Sequence, residues 1–187
     1  MIIASQKRKE NIAEYILYMW QIEDLIRANN LDIEKIKSNI IDKYDLTDSQ
    51  RQEMTEWYES LIDMMRREDV VTKGHLQINK NVLADMVRLH QALLKDPRFA
   101  DYTAEFYRTL PYIVELRSKA GKEMAGEIET CFNALYGMLL LRLQSKEINP
   151  DTLQAIKQIT AFIALLSKNY HLDEDNKLFK DGDDSVV

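Results

Sequence analysis

The sequence predicts an all-α protein, an antiparallel bundle of about six helices plus one short helix. Three observations predict it. Apolar residues recur every three or four places along most of the chain, the period of a helix with one face turned inward. Alternating apolar and polar runs bounded by turns, the mark of half-buried strands, are missing. Only five glycines and three prolines stand among the 187 residues, so little interrupts a helical backbone.

The first stripe is Ile12, Ile16, Met19, Ile22 and Ile26, which predicts a helix from about Lys9 to Ala28. Asn29 and Asn30 then supply side chains that tolerate the left-handed conformation at a helix end. Asp32 is placed to accept backbone N–H groups as the cap of a short helix carrying Ile33, Ile36 and Ile40 and stopping near Asp42. Thr47-Asp48-Ser49-Gln50 fits a capping box, so a long helix starts there. Its stripe is Met54, Trp57, Leu61 and Met64 or Met65, thickened by Tyr58 and Ile62, and Gly74 ends the region. Trp20 and Trp57 are expected to be major contributors to the core.

The next stripe is Val82 or Leu83, Met86, His90 and Leu93. Asp96-Pro97 and Asn149-Pro150 each join a good N-cap to a proline at the first helical position, where the missing N–H costs nothing, so they mark two further starts. Tyr102, Phe106, Ile113 and Leu116 line the helix after the first, with a kink or short break expected near Leu110 because Pro111 removes an intrahelical bond. Gly121 is expected to separate it from a helix carrying Ile128, Phe132, Leu135, Leu139 and Leu143. Gly126, Thr130, Ala134 and Gly137 share one face of that helix and predict a tight crossing, within the chain or between subunits. The last helix runs from about Pro150 to Lys168, with Leu153, Ile156, Ile163 and Leu166 inward.

Residues 1–172 are expected to form a single helical-bundle domain and residues 173–187 an acidic, disordered tail. Six acidic side chains against Lys177 and Lys180 give this tail four of the six net negative charges. The near-neutral remainder lacks the basic face of a nucleic-acid binder. A single cysteine, Cys131, forms no internal disulfide, no secretory segment opens the chain, and the longest apolar run, Ala134 to Leu141, is too short to span a bilayer. The expectation is a cytoplasmic protein with neither nucleic acid nor membrane among its partners.

None of His75, His90 and His171 follows a glutamate by three places, as a di-iron bundle requires. His-Glu-x-x-His, paired cysteines, a Gly-rich phosphate loop and an EF-hand are also missing, so no metal, cofactor or catalytic residue is predicted. Cys131 sits mid-helix beside Phe132 as a core thiol. His90 lies on an apolar stripe as a core histidine, and His75, after Gly74, is expected to be exposed. Tyrosines and tryptophans spread over four helices are core or interface material, or line a shared cavity. The weak ligand-binding candidates are Trp20, Glu23, Arg27, Tyr58 and His90; one turn from Trp20, the group Glu23, Asp24 and Arg27 faces a cavity or pairs on the surface.

The segment Asn11-Ile-Ala-Glu-Tyr-Ile-Leu-Tyr-Met-Trp-Gln-Ile-Glu-Asp-Leu-Ile-Arg27, with Trp57-Tyr58, Gly74-His75 and Glu129-Thr-Cys-Phe-Asn-Ala-Leu-Tyr-Gly137, resembles an uncharacterised family of Bacteroidetes proteins catalogued as a domain of unknown function. The resemblance implies a bacterial, cytoplasmic, all-helical protein and assigns no residue a role. Function is read first as a protein-interaction or scaffold module that forms a homo-oligomer, because Tyr15-Ile-Leu-Tyr-Met-Trp20 is apolar almost all round. The alternative is a small-molecule binder or enzyme using an aromatic-lined cavity between helices.

Overall fold

The computed structural model describes residues 2–119 and 125–179, and every regular element among them is helical. Eight α-helices follow in order: α1 (Ile2–Glu10), α2 (Ile12–Ala28), α3 (Ile33–Asn39), α4 (Asp48–Arg67), α5 (Gln77–Lys95), α6 (Ala100–Lys119), α7 (Glu127–Leu143) and α8 (Pro150–Glu174). Two 3-10 turns, Ile41–Lys43 and Pro97–Phe99, sit in the links before α4 and α6. The chain divides into two compact units, Met1–Glu10 with Glu14–Val82, and Asn11–Ala13 with Leu83–Val187.

In the first unit the sequence signals act as their chemistry requires. Asp32 accepts from Glu34 N and Lys35 N to start α3, and the capping box closes at Thr47 and Gln50 to start α4. Asn30 takes a left-handed φ of 58° after α2, and Leu31 does the same at 55°. Basic residues Lys7, Arg8 and Lys9 fill the last turn of α1, opposite in sign to the partial charge there. The structure corrects the core of α4: Met54, Tyr58, Leu61, Ile62 and Met65 are buried, whereas Trp57 is only half-buried and meets Tyr58 edge-on. Adjacent helical residues point about 100° apart, so the stripe faces inward through Tyr58.

Within the second unit Asn11 is the break the periodicity did not show. Its Oδ1 accepts from Ala13 N at 3.0 Å and from Ser167 Oγ at 2.9 Å, so it caps α2 and separates that helix from α1. The helices α6, α7 and α8 pack on one another. Gln158 donates to Glu105 and Thr109, and Gln154 to Tyr112, so α6 and α8 run antiparallel. Pro111 lies inside α6 without breaking it. Gly126 and Gly137 have open space where a side chain would stand, so among the described residues neither glycine marks a close approach, although Thr130 on the same face is buried. Asn149 caps α8 through Thr152 N at 2.7 Å. That helix continues beyond the expected Lys168 because Asn169 and Tyr170 are also buried. Phe179 then meets the ring of Phe99. Gly121 and the acidic end from residue 180 lie outside the described residues. Among the described residues no helix is long and apolar enough to cross a membrane.

The difference between the two neighbours on α4 is measurable. Tyr58→Ala is expected to cost roughly 3 to 5 kcal/mol and Trp57→Ala about 1 kcal/mol in urea unfolding. A larger loss at Trp57 than at Tyr58 contradicts the burial pattern.

Candidate functional site

Helix α2 places Trp20, Glu23 and Arg27 at spacings of three and four, hence on one face. All three meet the connection between α4 and α5. That connection leaves α4 through Asp69, at φ 54°, and turns again at Gly74, at φ 85°, a conformation glycine adopts without strain.

Glu23 is completely buried. A lone carboxylate there would be very costly, and the fold supplies three donors to it. Leu76 N and Asn79 Nδ2 donate to Oε1 at 2.9 and 2.6 Å, and His75 Nδ1–H donates to Oε2 at 2.6 Å. The imidazole of His75 stacks on the buried indole of Trp20, with ring centroids 4.1 Å apart and planes 13° apart. Arg27 closes the other end of the connection: Nη1 donates to Asp24 Oδ1 at 2.8 Å, and Nη2 donates to Val70 O at 3.0 Å and to Gly74 O. Arg27 Nε and Asn79 Oδ1 are buried without partners among the described residues.

Three of the candidates therefore come together, and His75, expected to be exposed, is their central partner. Its side chain is 30% exposed, and Nε2 has no hydrogen-bond partner among the described residues. The missed members, His75, Leu76 and Asn79, lie 52 to 56 residues from Glu23, too far for any local spacing to signal them. Of the group one turn from Trp20, Asp24 and Arg27 pair with each other while Glu23 turns inward.

The other two candidates sit elsewhere. Tyr58 is a core residue of the first unit, and burial pushes its hydroxyl well above the usual phenol range, with nearby Tyr18 and Tyr44 adding to the rise. His90 belongs to the second unit, where its Nδ1 shares a hydrogen bond of 2.7 Å with the hydroxyl of Tyr102. The rings of Tyr102, Phe106 and Phe162 surround it at 4.8 to 5.8 Å. Burial lowers the His90 pKa, outweighing the opposing pull of Glu127, so the ring is held neutral in an aromatic core. Cys131 is buried and its thiol is pushed up to about 12, chiefly by burial, which makes it a poor nucleophile. No group of three or more His, Cys, Asp or Glu side chains among the described residues is arranged to hold a metal ion.

A family model described as a domain of unknown function (DUF4924) matches residues 1–177. No curated protein and no solved structure matches the chain.

Removing the Glu23 carboxylate leaves three donors without their acceptor, so Glu23→Ala is expected to cost roughly 3 to 5 kcal/mol in urea unfolding. A loss below about 1 kcal/mol shows that water replaces the carboxylate, contrary to its burial. His90 gives the fold a pH dependence. Its folded pKa lies below the unfolded value of 6.5, so the unfolded chain binds a proton first as pH falls. Stability is expected to drop between about pH 7 and pH 5 more steeply in the native chain than in a His90→Gln variant; equal slopes contradict the buried neutral ring.

Proposed function

The chain belongs to the family described as a domain of unknown function (DUF4924), and on that premise we propose that it is a helical interaction module that associates with a second copy of itself. One observation carries this reading. Helix α6 buries Tyr102, Phe106, Thr109 and Ile113, yet its flank also leaves Tyr107 62% and Val114 55% exposed. Half-buried Thr103 and Leu110 complete the series 103, 107, 110, 114, spaced four, three and four. That is the seam along which a second helix packs. The spacing reads the same in both directions, so two copies of α6 laid antiparallel match it in register: Tyr107 opposite the partner's Leu110, Thr103 opposite the partner's Val114. Leu143 on α7 and Leu153 on α8 leave further apolar surface open in the same unit.

The second reading, a small-molecule binder or enzyme, draws on Trp20, Glu23 and Arg27. Both oxygens of Glu23 are engaged by His75 and Leu76, and Arg27 spends Nη2 on Val70 O and Gly74 O and Nη1 on Asp24, so these side chains are committed chiefly to holding the α4–α5 connection. A Bacteroidetes source and a cytoplasmic setting complete the proposal; the first is supported by the segment 11–27, the second by a single buried cysteine.

The chain mass is 21.9 kDa, and light scattering after size exclusion is expected to give twice that value. Introducing Tyr107→Glu with Val114→Glu is expected to yield the monomer with unchanged helical circular dichroism. A wild type monomeric at about 100 μM, or a double variant that still dimerises, overturns the reading.

A further inference from the structure

We propose that the acidic segment 180–187 of the same chain, which lies outside the described residues, covers the exposed flank of α6 and competes there with a second copy. The inference deepens the self-association reading: the competition rests on that reading, whereas the covering of α6 does not. The seam starts before Thr103. Phe99 ends the 3-10 turn Pro97–Phe99, and the next residue, Ala100, is already helical at φ −56° and ψ −37°, so the turn runs into α6 without a break. Phe99 stands four residues before Thr103, and the series becomes 99, 103, 107, 110, 114. Its first position is already occupied from within the chain: the ring of Phe179 meets Phe99 edge-on, with centroids 5.6 Å apart and planes 70° apart.

The end of α8 sets the direction in which the segment leaves. Because α6 and α8 run antiparallel, α8 ends beside the start of α6. Asn176 takes a left-handed φ of 55°, and the N–H groups of Asn176 and Lys177 return to Asp173 O and Leu172 O at 2.8 Å, which turns the chain off the helix. Leu178 is half-buried just past this turn, and Phe179 reaches Phe99. The eight residues 180–187 reach about 26 Å when extended, and the flank from Phe99 to Val114 is about 22 Å long. They are therefore long enough to carry Val186 and Val187, the two apolar side chains of the segment, to Leu110 and Val114. No position of the series is acidic, so Asp181, Asp183 and Asp184 cross it without meeting a carboxylate on that line. A second copy meets three like charges from each chain unless both segments leave.

Both copies must be uncovered before their seams meet. Access of a reagent to Tyr107 therefore falls as the uncovered fraction, and the apparent affinity of the dimer falls as its square.

The test uses the full chain and two full-length variants: Phe179→Ala, which removes the anchor, and Val186→Asp with Val187→Asp, which makes the far end polar. Nitration of Tyr107 by tetranitromethane is followed by peptide mass spectrometry, in protein dilute enough for light scattering to read the monomer. Exposed Tyr44 in the first unit is the internal reference. Both variants are expected to label Tyr107 about threefold faster than the native chain, with Tyr44 unchanged, and to dimerise with a dissociation constant about tenfold lower. Native-rate labelling of Tyr107 in either variant overturns the covering, whatever the dimer does. Faster labelling with an unchanged dissociation constant overturns the competition. Faster labelling in chains that all stay monomeric at about 100 μM supports the covering and rejects the self-association reading instead.

Discussion

The buried carboxylate of Glu23 is the constraint on which the first unit depends. A completely buried anion tolerates no missing donor, so the three groups that satisfy it must be delivered together. Two of them, His75 Nδ1–H and Leu76 N, come from the residues just before α5, and the third, Asn79 Nδ2, from its first turn. Meeting the requirement therefore fixes where α5 begins, forces the left-handed turn at Gly74, and lays His75 across Trp20. Arg27, one turn further along α2, secures the carbonyls of Val70 and Gly74 from the other side.

The second unit solves burial differently. Of its two histidines, the buried one, His90, bonds a tyrosine hydroxyl and is surrounded by three aromatic rings, while His171 lies beside Glu174 nearer the surface. Burial there favours the uncharged forms of both partners, lowering the pKa of His90 and raising that of Tyr102. The pair is thus core packing with one satisfied hydrogen bond. His75 differs because its Nδ1 partner is a carboxylate and its Nε2 is unpartnered among the described residues. One residue type occupies an apolar core in one unit and a polar clasp in the other.

Local chemistry made most of the helices legible. Asp32, Thr47 with Gln50, and Asn149 before Pro150 bond the backbone within a few residues, so the signal and the structure share a scale. Asn11 was opaque because its capping role is completed by Ser167, 156 residues away. On α4 the stripe of Met54, Leu61, Ile62 and Met65 is buried as its spacing predicts, but Trp57 and Tyr58 both extend it, and only packing selects Tyr58 for the core. Small residues permit close approach without supplying a neighbour, as the open space beside Gly126 and Gly137 among the described residues shows. At the site, the spacing of Trp20, Glu23 and Arg27 was visible on α2, while the residues that give it chemistry, His75 and Asn79, are fixed by contacts of long sequence separation that no periodicity encodes.

Stability alone does not account for Glu23. Apolar residues of similar volume commonly replace a buried ionic network with no loss of folding free energy, so such a network is weak evidence for a stabilising role. The orphaned Asn79 Oδ1 and Arg27 Nε show that this one is not even fully satisfied among the described residues. What the carboxylate provides, and an apolar residue of the same size does not, is a fixed tautomer and orientation for the one imidazole of the cluster that reaches the surface. Departures from local rules of core composition concentrate where a fold does something besides folding. By that criterion the connection between α4 and α5, clasped at both ends by α2, is where the first unit departs furthest from those rules.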